Sequence, residues 1–218
     1  MTVTPQQASR LTREICALAP VIPVLVIEDA ATARPLAEAL VAGGLPALEV
    51  TLRTPAALPA IRAMAGVAGA RVGAGTLVTP EDVRAAKRAG ATFGVSPGAT
   101  DALLAACEEL GLPLLPGAAT ASEAMRLLAR GYDMQKFFPA EASGGAAALK
   151  AIGAPLPQIG FCPTGGVGPE NVQDYLALAN VPCVGGSWVA PRQLVAERRW
   201  HEIEALARAA AQLGRAAP

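Results

Sequence analysis

Lys136 stands in Met134-Gln135-Lys136-Phe137-Phe138-Pro139, a run of mostly apolar residues. In an extended segment, alternation puts Lys136 and Phe138 on one face and Phe137 on the other. Lysine is rare in such a setting, because burial strips water from its charge. The same desolvation favours the neutral amine, which is the form that attacks a carbonyl to make an imine. The bland alternative is a lysine that snorkels to the mouth of the fold or pairs with a carboxylate. A second anomaly lies in Ala47-Leu48-Glu49-Val50-Thr51-Leu52-Arg53. With Leu48, Val50 and Leu52 on one face, Glu49, Thr51 and Arg53 share the other. A carboxylate there could shuttle protons for an imine-forming lysine. Arg53 offers the planar fork that grips a substrate carboxylate. The alternative, an ion pair of Glu49 with Lys136 or Arg53 that only fills the core, stabilises poorly once desolvation is counted. Thr76, closing Gly73-Ala74-Gly75-Thr76, adds a hydroxyl, although alone it reads better as an ordinary strand-end threonine.

Two glycine turns complete the set: Thr164-Gly165-Gly166-Val167-Gly168-Pro169 and Gly185-Gly186-Ser187. Backbone N–H groups freed in such turns bind anions, and they follow the last two predicted strands, where barrels often hold phosphate.

Other chemistries have little to work with. The one histidine, His201, falls in a charged stretch that reads as an exposed helix, and no GxSxG turn offers a nucleophile. Cys16, Cys107, Cys162 and Cys183 lack metal-ligand or disulfide-scaffold spacing, so they read as small buried hydrophobes and no metal site is expected. The charges balance, 18 Lys and Arg against 18 Asp and Glu, with no basic block for nucleic acid. No apolar run nears the roughly 18 residues that span a bilayer, and Met1 to Leu11 lacks a signal core. A soluble, cytoplasmic protein is expected.

These side chains need a scaffold of parallel strands. The 218 residues are 52% apolar but only 4% aromatic, a composition suited to a barrel core of small branched side chains. Strands are predicted at Ile22–Ile27, Ala47–Thr51, Arg71–Thr76, Thr92–Ser96, Pro113–Pro116, Met134–Phe138, Gln158–Cys162 and Pro182–Gly185. Amphipathic helices lie between them, among them Thr32–Ala42, Pro80–Ala89, Asp101–Leu110, Ser122–Ala129 and Pro169–Leu178. A leading helix, Pro5–Leu18, precedes them all. The segment after Pro191 reads as a closing helix and a short disordered tail. Eight strand-then-helix units without a GxGxxG turn point to one (β/α)8 TIM barrel across residues 1–218, with an extra N-terminal helix.

At these positions the chain resembles the 2-keto-3-deoxy-6-phosphogluconate (KDPG) aldolase family, class I aldolases of the Entner–Doudoroff pathway. The resemblance is carried by Leu48-Glu49-Val50-Thr51-Leu52-Arg53-Thr54, Val72-Gly73-Ala74-Gly75-Thr76, Ser96-Pro97-Gly98, Lys136-Phe137-Phe138-Pro139-Ala140-Glu141, Phe161-Cys162-Pro163-Thr164-Gly165-Gly166 and Gly185-Gly186-Ser187-Trp188, in order from Pro20 to Trp188. It implies Lys136 as the Schiff-base lysine and Glu49 as general acid/base. Arg53 and Thr76 would hold the pyruvyl carboxylate with Thr164 nearby, and Pro97 and Phe138 would wall the pocket. Amides at Gly165, Gly166 and Gly186, with the Ser187 hydroxyl, would take the 6-phosphate. The family is homotrimeric and uses no metal or other cofactor. Ser143 and Gly168 stand where it more often has Asn and Ser, which leaves open the choice between the phosphorylated 2-keto acid and 4-hydroxy-2-oxoglutarate (KHG). A phosphosugar isomerase or decarboxylase, or a non-catalytic phosphometabolite-binding barrel, are the rival readings.

Overall fold

Helix α1 (Pro5–Cys16) opens the chain of the computed structural model, which describes residues 2–214. Residues 215–218, the end of the segment expected to close in a short disordered tail, lie outside them. Thr4 caps α1 by a capping box: its hydroxyl accepts from the Gln7 N–H while the Gln7 side chain accepts from the Thr4 N–H. Nine strand segments follow: β1 (Val21–Leu25), β2 (Ala47–Thr51), β3 (Arg71–Gly75), β4 (Phe93–Val95), β5 (Leu114–Leu115), β6 (Gly117–Ala118), β7 (Met134–Phe137), β8 (Gly160–Pro163) and β9 (Val184–Gly186). The helices between and after them are α2 (Ala33–Ala42), α3 (Ala57–Ala65), α4 (Pro80–Ala89), α5 (Asp101–Leu110), α6 (Ala121–Arg130), α7 (Gly145–Gly153), α8 (Val172–Leu176), α9 (Arg192–Ala196) and α10 (Trp200–Ala210).

All strand pairs are parallel. Six strands run in the order β5-β4-β3-β2-β1-β9, and three more in the order β6-β7-β8. The predicted strand Pro113–Pro116 holds only β5, and β6 follows beyond it. Pro116 has no N–H to donate, so β5 and β6 are successive pieces on either side of it, and its carbonyl still accepts from Lys136 N–H at 2.8 Å. At the other side a bridge between Thr164 and Gly185 links the ends of β8 and β9. The result is an α/β fold with a strongly curled parallel sheet and helices outside it.

Two apolar layers hold this arrangement. Leu48, Val50, Val72, Ala74 and Phe137 face the helices in the large outer core. Inside the curl, Ile22, Ala47, Phe93, Val95, Leu115, Met134, Cys162 and Cys183 form a second cluster, closed below by Cys16 of α1. The period of two then lifts the next inward residue of β2 and β7, Glu49 and Lys136, one layer above Ala47 and Met134. Ser9 of α1 ties this floor to β7, since its hydroxyl accepts from Asp133 N–H at 2.8 Å and Met134 N–H at 3.3 Å.

The closing region differs from expectation. α9 and α10 replace one helix, and the break falls at Arg198, whose φ of 56 lies in the left-handed region. His201 is exposed on α10, as the charge pattern suggests.

Candidate active site

Glu49 and Lys136 sit on different sheets, yet their side chains meet across the curl, Nζ to Oε1 at 3.4 Å. Both are buried, at 5% exposure for Lys136 and 3% for Glu49. Gly75 on the neighbouring β3 makes room, because a Cβ there would stand 2.2 Å from Glu49 Oε1. Burial pushes the Glu49 carboxyl above the usual carboxylate range, and the attraction of Lys136 offsets this only in part. The Phe138 ring lies under the ammonium, with Nζ 5.0 Å from its centroid. A carboxyl with raised proton affinity thus touches a buried lysine at the cavity wall.

Above the pair opens a cavity of about 640 Å³. Eight of the sequence-predicted residues line it: Glu49, Arg53, Lys136, Phe138, Thr164, Gly165, Gly166 and Ser187. Three others do not. Gly186 lies in β9 beside lining residues Gly185 and Ser187. Thr76 follows Gly75 and is half-buried, with φ of 62, a conformation costly for a β-branched residue. The Pro97 carbonyl packs on Gly117, the residue paired with Lys136. Sequence reasoning missed Val24, Val26 and the stretch Trp188, Ala190, Pro191 and Arg192. The signal was slight, since Val24 and Val26 are ordinary apolar residues at the end of β1 and Trp188 to Arg192 carry no site pattern of their own. A larger surface groove of about 850 Å³ lies along α7 and α8, but it contains none of the predicted residues.

The glycine turn after β8 is held open by its surroundings. Gly165 and Gly166 have φ of 98 and 79, which glycine adopts without steric cost. Backbone bonds from Ala140 N–H to Thr164 O and Glu141 N–H to Gly165 O carry the β7–β8 pairing past the strand ends. Glu141, which accepts from Tyr175 Oη, packs under Gly166. Among the described residues the Gly165 and Gly166 amides have no protein acceptor, so they can receive an anion. The Gly168 amide is already taken, donating to Asn171 Oδ1 at 2.8 Å.

All four cysteines are free and buried, as expected. Cysteines that lack ligand spacing in sequence nevertheless converge, because α1, β8 and β9 bring the sulfurs of Cys16, Cys162 and Cys183 within 4.8 Å of one another. All three are buried beneath the pair, with Cys162 in register with Lys136. Thiol hydrogen bonds from Cys16 and Cys183 hold Cys162 well below the ordinary thiol range, while its two neighbours are pushed up.

A family model described as KDPG and KHG aldolase matches residues 12–206. The chain belongs to the KDPG and KHG aldolase family. It is 51% identical over 199 residues to a 2-dehydro-3-deoxy-phosphogluconate aldolase of Pseudoalteromonas atlantica, covering 91% of this chain and 93% of that one. The crystal structure of the Zymomonas mobilis 2-keto-3-deoxy-6-phosphogluconate aldolase with 3-phosphoglycerate superposes with a TM-score of 0.89 at 49% identity, covering 95% and 98% of the two chains. A Legionella pneumophila KDPG aldolase, with pyruvate captured as a covalent carbinolamine, gives 0.87 at 47% identity, covering 90% and 96%. The family model spans β1 to β9 and with them every predicted site residue.

Proposed function

We propose that this chain is a class I aldolase that cleaves 2-keto-3-deoxy-6-phosphogluconate to pyruvate and glyceraldehyde 3-phosphate through an imine on Lys136. The observation that carries the reading is the buried Lys136–Glu49 pair at 3.4 Å, facing a cavity with free glycine amides at one side. The Lys136 amine adds to the C2 carbonyl. Glu49, whose proton affinity is raised by burial, protonates the departing hydroxyl as water leaves and the iminium forms. The Glu49 carboxylate then takes the C4 hydroxyl proton. The C3–C4 bond breaks, its electron pair moves to the iminium nitrogen, and glyceraldehyde 3-phosphate departs. Protonation of the enamine at C3 and hydrolysis release pyruvate and restore the amine. The imine is the electron sink throughout, so the steps need no metal.

Arg53 and Thr76 hold the substrate carboxylate, with Thr164 nearby. Phe138 and Pro97 wall the reacting carbons, while the Gly165, Gly166 and Gly186 amides and the Ser187 hydroxyl receive the phosphate. The curled sheet is one closed (β/α)8 barrel, with β5 and β6 as a single interrupted strand and α1 added before the eightfold repeat. The protein works as a cytoplasmic homotrimer in the Entner–Doudoroff pathway; among the described residues no helix is long and apolar enough to cross a membrane. The same steps on 4-hydroxy-2-oxoglutarate would give pyruvate and glyoxylate, a reading favoured by the second half of the family description. A coupled lactate dehydrogenase assay on both substrates tests the proposal. It expects pyruvate release with the higher kcat/KM on the phosphorylated one; no pyruvate from either would overturn it.

A further inference from the structure

Four charged residues line the active-site cavity: Glu49, Arg53, Lys136 and Arg192. Glu49 and Lys136 answer each other. The two arginines do not, for both are exposed and neither takes part in an ion pair among the described residues. The cavity therefore presents two unspent guanidinium groups. They come from different walls. Arg53 follows β2, beside Glu49, whereas Arg192 follows β9, five residues beyond Ser187. Between Ser187 and Arg192 the chain stays at the cavity, since Trp188, Ala190 and Pro191 also line it. Arg192 is thus carried by the same segment as the Ser187 hydroxyl.

Arg192 also borders a neighbouring cavity of about 310 Å³, with Glu28 and Asp29 at its edge. Those carboxylates are the obvious competitors for its charge, yet neither pairs with it. The remaining groups at this side, glycine amides and one hydroxyl, are neutral donors. They fit an anion but bring no formal charge to hold a dianion against water. A guanidinium supplies that charge in a planar fork matched to phosphate oxygens.

Building on the reading that the substrate is a phosphorylated 2-keto acid, we propose that Arg192 is a specificity-determining residue that binds the substrate phosphate and sets the preference for phosphorylated over unphosphorylated substrate. Arg53 takes the opposite, carboxylate end. Loss of a charge-assisted contact of this kind costs about 10- to 100-fold in binding.

The test compares Arg192→Ala and Arg192→Lys with the parent on three substrates: 2-keto-3-deoxy-6-phosphogluconate, its dephosphorylated form, and 4-hydroxy-2-oxoglutarate. Arg192→Ala should lose about 10- to 100-fold in kcat/KM on the phosphorylated substrate alone, mostly through KM. Arg192→Lys should recover part of the loss. Arg198→Ala, a change in the neighbouring cavity only, should leave the preference unchanged. An equal loss on all three substrates, or an unaltered preference, overturns the role of Arg192. Thermal unfolding and pyruvate trapping by borohydride, both expected to match the parent, separate these outcomes from misfolding. Failure of the underlying reading looks different: the parent itself would release no pyruvate or show no preference for the phosphate.

Discussion

At Lys136 and Glu49 the sequence leaves a choice between a catalytic pair and a core-filling ion pair. Geometry narrows it, because the pair is buried at 3.4 Å but stands at the floor of a cavity rather than inside solid packing. Glu49 makes one polar contact and holds its proton more tightly than an exposed carboxylate would. Glu49→Gln should therefore slow turnover at least 100-fold, within the usual contribution of a general acid/base, while pyruvate binding weakens far less. The parent's kcat/KM should fall as pH rises through the raised Glu49 pKa, above the ordinary Glu value of about 4.3, and that limb should vanish in the variant. Linkage fixes the sign for stability. With the folded pKa raised, the contribution of Glu49 is full below the ordinary value and is lost as pH rises through the raised one. Denaturant titrations should thus find Glu49→Gln gaining on the parent as pH rises from the ordinary Glu pKa through the raised one. Thr76 was named from its strand end and Pro97 from the resemblance, and neither lines the cavity; no hydropathy pattern distinguishes the wall from the layer behind it.

At the scale of elements, most of the framework is legible. The capping box at Thr79 and the glycine stops at Gly90, Gly111 and Gly131 fall where local chemistry puts them. Less legible are features set by neighbours remote in sequence. Ser9 looks like any helix serine, but it accepts two backbone N–H groups at the start of β7. Ser9→Ala should cost about 1–3 kcal/mol by leaving buried donors unpaired, measurable as a lowered chemical-denaturation midpoint. Gly75 reads as a strand glycine, although its lack of a Cβ is what seats the Glu49 carboxylate. Gly75→Ala should displace that carboxylate, so kcat should fall about 100-fold, as expected for misplacement by roughly 1 Å, with the fold retained by circular dichroism. The split at Pro116 and the break at Arg198 were missed for a different reason: the first depends on a missing ladder donor and the second on one left-handed residue.

For the whole molecule, the site exists because the sheet curls. Glu49 on β2, Lys136 on β7, the turn after β8 and Ser187 after β9 belong to two hydrogen-bonded sheets, and they share one cavity only when β5 runs into β6 and Thr164 bridges to Gly185. Alternation and strand count make that curl readable in advance. The convergence of Cys16, Cys162 and Cys183 is not readable, because it joins a leading helix to two late strands. The proposed trimer predicts a sedimentation mass about three times that of the 22.0 kDa chain, and a monomer would refute it. The imine on Lys136 is tested most directly by borohydride reduction with pyruvate, followed by peptide mapping of the three lysines, Lys87, Lys136 and Lys150. The account predicts a pyruvyl adduct on Lys136 alone; no adduct, or one on Lys87 or Lys150 in its place, would contradict it.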